Sequence, residues 1–505
     1  MIFTSPSDLL LPPLLCALPV APTRLGGHGG FLPTPTRVCA DSREADGHCL
    51  FVCIKGAQSD GHDYALSAYE RGCRVFLVER PLKAPLPDDA HVFLSQNTLR
   101  DLALLACAVN GNPSKQLRVV GITGTKGKTS VALMCYHILK QLGISAGYIG
   151  TCGVMYGGVT YPTRNTTPGA LELQSILFDM QKSGVDTVLL EVSSQALWQH
   201  RVDGICFTAC AFTNLYADHI GPPEHPTLAH YAACKKRLFT EFSPAVILVN
   251  ADDEAYETIV EGAYAPVRLC GFDAHAHLQA TDYRMQLQNG LPASHFICPD
   301  AHSGQRVAVT LPLPGRYNVQ NALLALGIVS SLGVPISEAA LHLASVRIPG
   351  RFEAIPHGEA LIVIDYAHNG AALRAALGAL RPLTKGRLCC LFGSVGERSQ
   401  CRRSDLGKAA CELADYTYLT ADDPGCESVQ NICREIAAAF PPDKQDLYTV
   451  IVDRAEAIRT ALSDLKAGDV LLIAGKGDEQ AQRLGDGVHP HSDRAVVEQY
   501  TKMPL

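Results

Sequence analysis

A glycine-rich turn set between an apolar run and a helical pattern constrains this chain more than any other feature. Gly121-Ile122-Thr123-Gly124-Thr125-Lys126-Gly127-Lys128-Thr129-Ser130 follows the apolar run 117–122 and precedes the helical pattern 130–142. Strand, turn and helix in that order aim backbone N–H groups and a helix N-terminus at one point, which favours a polyphosphate. Gly124, Thr125, Lys126, Gly127 and Ser130 form the cradle. Lys128 reaches the β/γ-phosphates, and the Thr129 hydroxyl is placed to hold Mg²⁺. The full Walker pattern is not present, because Ile122 stands where its first glycine would be. The shorter Thr-Gly-Thr-x-Gly-Lys-Thr occupies 123–129. The chain is therefore expected to bind and use ATP.

At 505 residues the chain exceeds one core, and at roughly 100–200 residues per domain three domains are expected. Residues 1–110 read as a small mixed α/β domain, with strands over 50–54 and 74–78, helices over 63–72 and 99–109, and a turn at Asn110-Gly111-Asn112-Pro113. Residues 111–345 open with the phosphate strand and go on alternating. A strand over 185–192 carries Glu191 at its end, another covers 246–249, and an apolar helix spans 319–332. This predicts a P-loop ATPase-type parallel sheet. Residues 346–505 alternate strands at 361–364, 387–392, 416–420 and 470–474 with helices at 371–380, 402–414 and 428–440. That is a doubly wound, Rossmann-like pattern with ligands at the strands' carboxyl ends. The fold class is α/β throughout.

The formal net charge of −7 argues against nucleic acid or an anionic membrane as the main partner. The 19 cysteines include no C-x-x-C pair, so neither a zinc site nor a disulfide framework is expected, and a reducing cytoplasm is the simplest location. The apolar stretch 9–20 lacks a basic leader and is broken by Pro12, Pro13 and Pro19, so it reads as the first element of the fold. No run approaches the ~18 apolar residues of a membrane span.

Further short motifs follow in order along nearly the whole chain. They are Asp41-Ser42-Arg43, Gly56, Asp60-Gly61-His62, Asn165-Thr166-Thr167-Pro168, Glu191-Val192-Ser193-Ser194-Gln195-Ala196-Leu197 with Gln199 and Arg201, Asn214-Leu215, Asp218-His219, Lys235 with Leu238-Phe239, Pro314-Gly315-Arg316-Tyr317-Asn318, Gly350-Arg351, and Asp365-Tyr366-Ala367-His368. Together they resemble the Mur ligase family, and most of all its MurE branch. The resemblance implies an ATP-dependent amide ligase that joins a UDP-muramoyl dipeptide ending in D-glutamate to a free diamino acid. A carboxylate acylates poorly, so ATP would convert it to an acyl phosphate that the amine attacks. The protein's task is then positioning and charge neutralisation.

The same resemblance distributes roles. Lys128, Lys235 and His219 are the catalytic candidates. Thr129, Glu191, His219 and Lys235 are assigned to Mg²⁺, Lys235 as a carbamate formed with CO₂. Asn318, Arg351 and Asp365 are assigned to the nucleotide, and Ser42, Asn165, Thr166, Thr167, Ser193, Gln199 and Arg201 to the UDP-linked substrate. Arg suits that substrate because it binds anionic groups bidentately. The diamino acid falls to Arg398, Asp422, Asp423, Gly475 and Glu479. Members of the branch that add meso-diaminopimelate carry Asp-Asn-Pro-Arg where this chain has Asp422-Asp423-Pro424-Gly425. Without that arginine, and with an extra carboxylate, the pocket is expected to prefer L-lysine. Ornithine and diaminopimelate are the alternatives. A Mur-like ligase for another carboxylate and a non-catalytic nucleotide-binding partner protein are the competing readings. A monomer is expected.

Overall fold

The computed structural model describes residues 12–26, 32–56, 59–217, 220–221, 224–396 and 401–501. Its contacts divide the chain into two compact units, Met1–Leu269 and Cys270–Leu505.

The first unit holds two sheets. In the N-terminal sheet Arg37–Cys39, Cys49–Val52, Val75–Val78 and His91–Leu94 lie parallel, and Thr23–Gly26 closes the far edge antiparallel to His91–Leu94. Cys49–Val52 and Val75–Val78 are buried along their whole length. Such unbroken apolar runs belong to strands covered on both faces. The expected helix at 63–72 begins as a 3-10 turn, Gly61–Tyr64, and becomes helical only over Ala65–Glu70. Of the expected element at 9–20, a single turn at Leu15–Ala17 is seen, and positions 9–11 lie outside the described residues.

The central sheet is built around Arg118–Thr123, with Thr187–Glu191 on one side and Phe207–Phe212 on the other, all parallel. Ala146–Gly150 and Val246–Asn250 extend it outward, again parallel. Gly121 is required here, since a Cβ would stand 2.7 Å from the Phe207 ring. Register pairs Glu191 with Ile122, which sets that carboxylate at the carboxyl edge beside the glycine-rich turn. The sheet is not wholly parallel as expected. Gly153–Tyr156 and Val159–Tyr161 form an antiparallel hairpin on its edge, turned by Gly157-Gly158 at positive φ.

The second unit contains an antiparallel sheet that the sequence reading missed, Thr281–Gln288, Leu291–Pro299 and Arg306–Leu311. Its first strand is largely solvated, so it carries little hydrophobic signal. The Asn289-Gly290 turn, with φ of 53° and 78°, was the legible hairpin mark. The helix Arg316–Ser331 follows, and it is buried over most of its length. The last sheet runs Glu353–His357, Ala360–Asp365, Val470–Ala474, Leu388–Phe392, Tyr416–Leu419, Tyr448–Val450, parallel except for its first, antiparallel edge strand. Four of its strands fall within about a residue of the predicted ones, and the two edge strands, Glu353–His357 and Tyr448–Val450, were not predicted. No helix among the described residues is long and apolar enough to cross a membrane.

One buried ion pair ties this unit together. The Arg454 guanidinium bonds both Asp493 carboxylate oxygens, at 2.8 and 2.7 Å, and the carbonyls of Ala421 and Ala474 at 3.2 and 2.8 Å. Neither side chain is exposed. Burial alone would raise the Asp493 carboxyl, but the charge and hydrogen bonds of Arg454 outweigh it and leave it well below the usual carboxylate range. A depressed carboxyl contributes stability above its unfolded pKa and loses it as pH falls toward the folded one. Arg454→Met is therefore expected to destabilise the protein by about 3–5 kcal/mol in urea unfolding at neutral pH, because it strands Asp493. The penalty should shrink as pH falls below about 4. Arg381→Met, at the exposed pair with Asp415, should cost less than about 1 kcal/mol.

Candidate active site

The glycine-rich turn has the geometry its sequence implies. Gly124 and Gly127 take φ of +145° and +86°, a region open to glycine at little cost. At Gly124 a Cβ would also lie 1.8 Å from Thr213 Oγ1. The helix Lys128–Gln141 starts from Gly127 without any side-chain cap, which leaves its first N–H groups for an anion. Asn214 Oδ1 accepts the Lys126 N–H at 2.8 Å, and Thr213 Oγ1 donates to the Lys126 carbonyl at 2.6 Å, so the strand end at 212 braces the turn. Lys128 Nζ donates to the Gly124 and Thr125 carbonyls at 2.9 and 3.1 Å. Lys235 Nζ reaches the same Gly124 carbonyl at 2.8 Å and lies 4.4 Å from the Tyr231 ring centroid. Lys235 is 1% exposed. The two candidate catalytic lysines thus converge on one carbonyl in the mouth of the turn, with Thr125 and Ser130 buried beside them.

Glu191 is fully buried, and its partners among the described residues are all neutral. It accepts from Thr129 Oγ1 at 3.0 Å, Tyr148 OH at 2.5 Å, and the Thr151 N–H and hydroxyl at 3.1 and 3.2 Å. Gly150 makes room for it, since a Cβ there would stand 2.2 Å from Glu191 Oε1. A buried carboxylate with no cationic partner among the described residues, touching the phosphate-loop threonine, fits a hard divalent ion with oxygen ligands. Burial, then the Glu191 charge, push the Tyr148 hydroxyl well above its usual range, so it stays a donor. Tyr148 and Thr151 were missed in the sequence, because only the register brings them to Glu191. His219 lies outside the described residues, as does Arg398.

The substrate motif residues gather against this carboxylate. Thr167 Oγ1 donates to the Glu191 carbonyl at 2.8 Å and accepts the Ser193 N–H at 3.0 Å. Thr166 and Thr151 hydroxyls are 3.2 Å apart. Arg201 donates to the Thr167 carbonyl at 2.7 Å, and Gln199 Oε1 takes two of its N–H groups at 3.0 and 2.6 Å. These partners are neutral, and burial pushes the Arg201 guanidinium below its usual value. An anionic ligand would reverse that cost. Asn165 is exposed, and its carbonyl accepts from Thr163 Oγ1 at 2.9 Å. Ser42 opens the single turn Ser42–Glu44, capped by Asp41, whose carboxyl Arg43 holds down at about 2.

In the second unit Asn318 Nδ2 donates to the Pro314 carbonyl at 2.8 Å, at the start of its helix. Asp365 accepts the Phe352 and Ala367 N–H groups at 2.8 and 2.9 Å. Burial raises its carboxyl, against the nearby Arg351 charge. Arg351 stacks 4.2 Å from the Tyr366 ring centroid.

The acidic residues assigned to the diamino acid have a cation of their own. Asp422, Asp423 and Glu479 do meet, but around the protein's own Lys476, whose side chain is unexposed. Its Nζ lies 2.8 Å from Asp423 Oδ1, 2.6 Å from Glu479 Oε2 and 3.9 Å from Asp422 Oδ1. Burial raises the Asp422 and Glu479 carboxyls against the pull of Lys476. Counted formally, three carboxyl groups meet one ammonium, with the Arg454 charge also acting on Asp422. Nothing in the local spacing marks Lys476 as the partner of Asp423, which lies far from it in sequence. Gly475 packs beneath, where a Cβ would stand 2.7 Å from Asp422 Oδ2. Gly425 has φ of +58°, and its N–H donates to the Arg483 carbonyl at 3.2 Å.

A phosphate-loop sheet carrying a buried carboxylate, a threonine and two converging lysines, in a chain that also holds a Rossmann-like sheet, has the make-up of a ligase driven by nucleotide. Three family profiles match along the chain: the Mur ligase family catalytic domain over 35–106, the Mur ligase middle domain over 122–329, and the Mur ligase glutamate ligase domain over 350–477. The chain belongs to the Mur ligase family. It is 36% identical over 476 residues to the UDP-N-acetylmuramoyl-L-alanyl-D-glutamate–2,6-diaminopimelate ligase of Bacillus licheniformis, covering 92% of this chain and 94% of that protein. The protein of the same name from Caldanaerobacter subterraneus is 35% identical over 463 residues, with 92% and 94% covered. A solved structure of a ligase with that name superposes with a TM-score of 0.68 at 26% identity, over 93% of this chain and 95% of the other. The MurF ligase of Thermotoga maritima in complex with ADP shares the fold, with a TM-score of 0.60 at 22% identity over 92% and 97%. The names of the relatives agree with the expected resemblance to the MurE branch.

Gly124→Ala is expected to weaken ATP binding at least tenfold in calorimetry, through both the Thr213 clash and the positive φ. Gly143→Ala, at φ +74° in open space past the helix end, should leave ATP binding unchanged.

Proposed function

We propose that this chain is a MurE-type ligase that uses ATP to join a diamino acid to the D-glutamate end of UDP-N-acetylmuramoyl-L-alanyl-D-glutamate. The convergence of Lys128, Lys235, Thr129 and Glu191 on the mouth of the glycine-rich turn carries this reading. The substrate carboxylate takes the γ-phosphoryl group, giving an acyl phosphate and ADP. The amine then attacks the carbonyl carbon, inorganic phosphate leaves, and the ammonium proton is lost to a base or to water. The turn and the helix N-terminus hold the phosphates, and Lys128 leaves the Gly124 and Thr125 carbonyls to pair with them. Arg201, held by Gln199 and the Thr167 carbonyl, takes an anionic part of the UDP-linked substrate. Mg²⁺ would be held by Thr129 and Glu191, with His219 and a carbamylated Lys235 as the family's further ligands, and would supply neutralisation of phosphate charge. The nucleotide role falls to Asn318, Arg351 and Asp365. The domain division 1–110, 111–345 and 346–505 belongs to the same reading.

For the acceptor we favour L-lysine. Gly425 offers no guanidinium to a second carboxylate, and the cluster of Asp422, Asp423, Glu479 and Lys476, three carboxyl groups to one ammonium, suits a distal ammonium. The second reading, diaminopimelate, is favoured by the names of the relatives and by Arg483, a residue whose backbone carbonyl accepts the Gly425 N–H. A mass-spectrometric panel of lysine, ornithine and meso-diaminopimelate with the UDP-linked dipeptide separates them. Lysine is expected to be coupled at least tenfold faster than diaminopimelate, with Arg483→Ala leaving that preference intact. Faster coupling of diaminopimelate, lost in Arg483→Ala, would establish the second reading instead.

A further inference from the structure

The sequence held no paired cysteine spacing for a metal, yet the fold assembles one mixed-ligand cluster outside the phosphate site. The helix Leu228–Thr240 begins at Thr227, whose Oγ1 accepts the His230 N–H at 3.1 Å. That cap sets His230 in the first turn, and Cys234 follows one turn later on the same face. His225 stands two residues before the cap, fully buried. Its Nε2 lies 2.8 Å from Ser194 Oγ, which orients the ring. Its Nδ1 faces His230 Nδ1 at 2.9 Å, and Cys234 Sγ lies 3.9 Å from the first and 3.8 Å from the second. All three ligand atoms fall within 4.8 Å of one another.

From these residues we propose a binding site for one divalent cation of the zinc class, held by His225 Nδ1, His230 Nδ1 and Cys234 Sγ. Zinc–nitrogen bonds of about 2.0 Å and zinc–sulfur bonds of about 2.3 Å, at tetrahedral angles, put two nitrogens about 3.3 Å apart and nitrogen and sulfur about 3.6 Å apart. The three observed separations lie within about 0.4 Å of those edges. Two imidazoles and a thiolate select zinc-like ions over magnesium, which demands oxygen ligands. The Ser194 hydroxyl on the far nitrogen of His225 is the outer partner such a ligand needs to fix its tautomer. Burial pushes the Cys234 thiol up, while the Arg237 charge works toward the thiolate. Trp198 packs over both rings, its centroid 5.6 Å from that of His225 and 5.1 Å from that of His230. His230 is only half-buried and gives the ion its entry, and water completes the fourth position. On binding, the thiol proton is released to solvent, and the proton held between the two rings passes through solvent to an outer ring nitrogen, so both imidazoles ligate as neutral rings. The bound ion would pin the loop ending at His225 to the helix that carries Lys235.

The test uses full-length protein stripped with chelator and titrated with Co²⁺ in excess Mg²⁺. A thiolate-to-cobalt charge-transfer band in the near ultraviolet is expected, saturating at one equivalent and abolished by Zn²⁺. Cys234→Ser should remove it, and His230→Gln should weaken Co²⁺ binding more than about tenfold, with both variants keeping the wild-type circular dichroism. Zn²⁺ should raise the thermal midpoint of wild type and not that of His230→Gln. No band, or an equal band in Cys234→Ser arising from another thiol, overturns the site. Should Cys234→Ser fail to fold, unchanged affinity in His230→Gln overturns it alone.

Discussion

A carboxylate buried among uncharged donors organises the central domain. Glu191 sits at the end of a fully buried strand, and every partner it has among the described residues is an uncharged donor. Leaving a buried carboxylate so arranged costs free energy that the fold must offset elsewhere. Gly150 is kept bare to admit it, Tyr148 is held protonated to serve it, and Thr129 is turned to it from the first turn of the phosphate helix. Lys128 and Lys235 both donate to the Gly124 carbonyl in the same turn.

The second unit solves the opposite problem. Arg454 and Asp493 are fully desolvated but fully paired, so they fix the strand ends that carry Asp422 and Gly475. Lys476 then fills the acidic cluster from inside. At Gly425 a φ of +58° favours glycine over any residue with a side chain.

The sequence made the parallel sheets legible, because strands buried on both faces read as unbroken apolar runs, as at Cys49–Val52, Leu388–Phe392 and Val470–Ala474. The solvated strand Thr281–Gln288 carried no such pattern and went unseen, although Asn289-Gly290 marked its turn. At the site, residues that act through local spacing were found: Gly124, Lys128, Thr129. Glu191, Thr167 and Arg201 were reached through the resemblance, while several residues that act across the fold were not found. Tyr148 and Thr151 reach Glu191 only through strand register, Lys476 reaches Asp423 across a sheet edge, and His225, His230 and Cys234 meet only because a cap fixes where one helix starts. Lys235 was picked out by resemblance, since a basic run alone does not show that its side chain is buried.

The most direct measurement is phosphate release from ATP by wild type and by Glu191→Gln. The variant keeps the side chain's shape and one acceptor oxygen, removes the charge, and puts an NH2 group where either the Thr129 or the Tyr148 hydroxyl donates. Release by wild type is expected only when the UDP-linked dipeptide and a diamino acid are both present, and it should fall by about a hundredfold or more in the variant. Release without the dipeptide, or undiminished release in Glu191→Gln, would contradict a ligase built around that carboxylate.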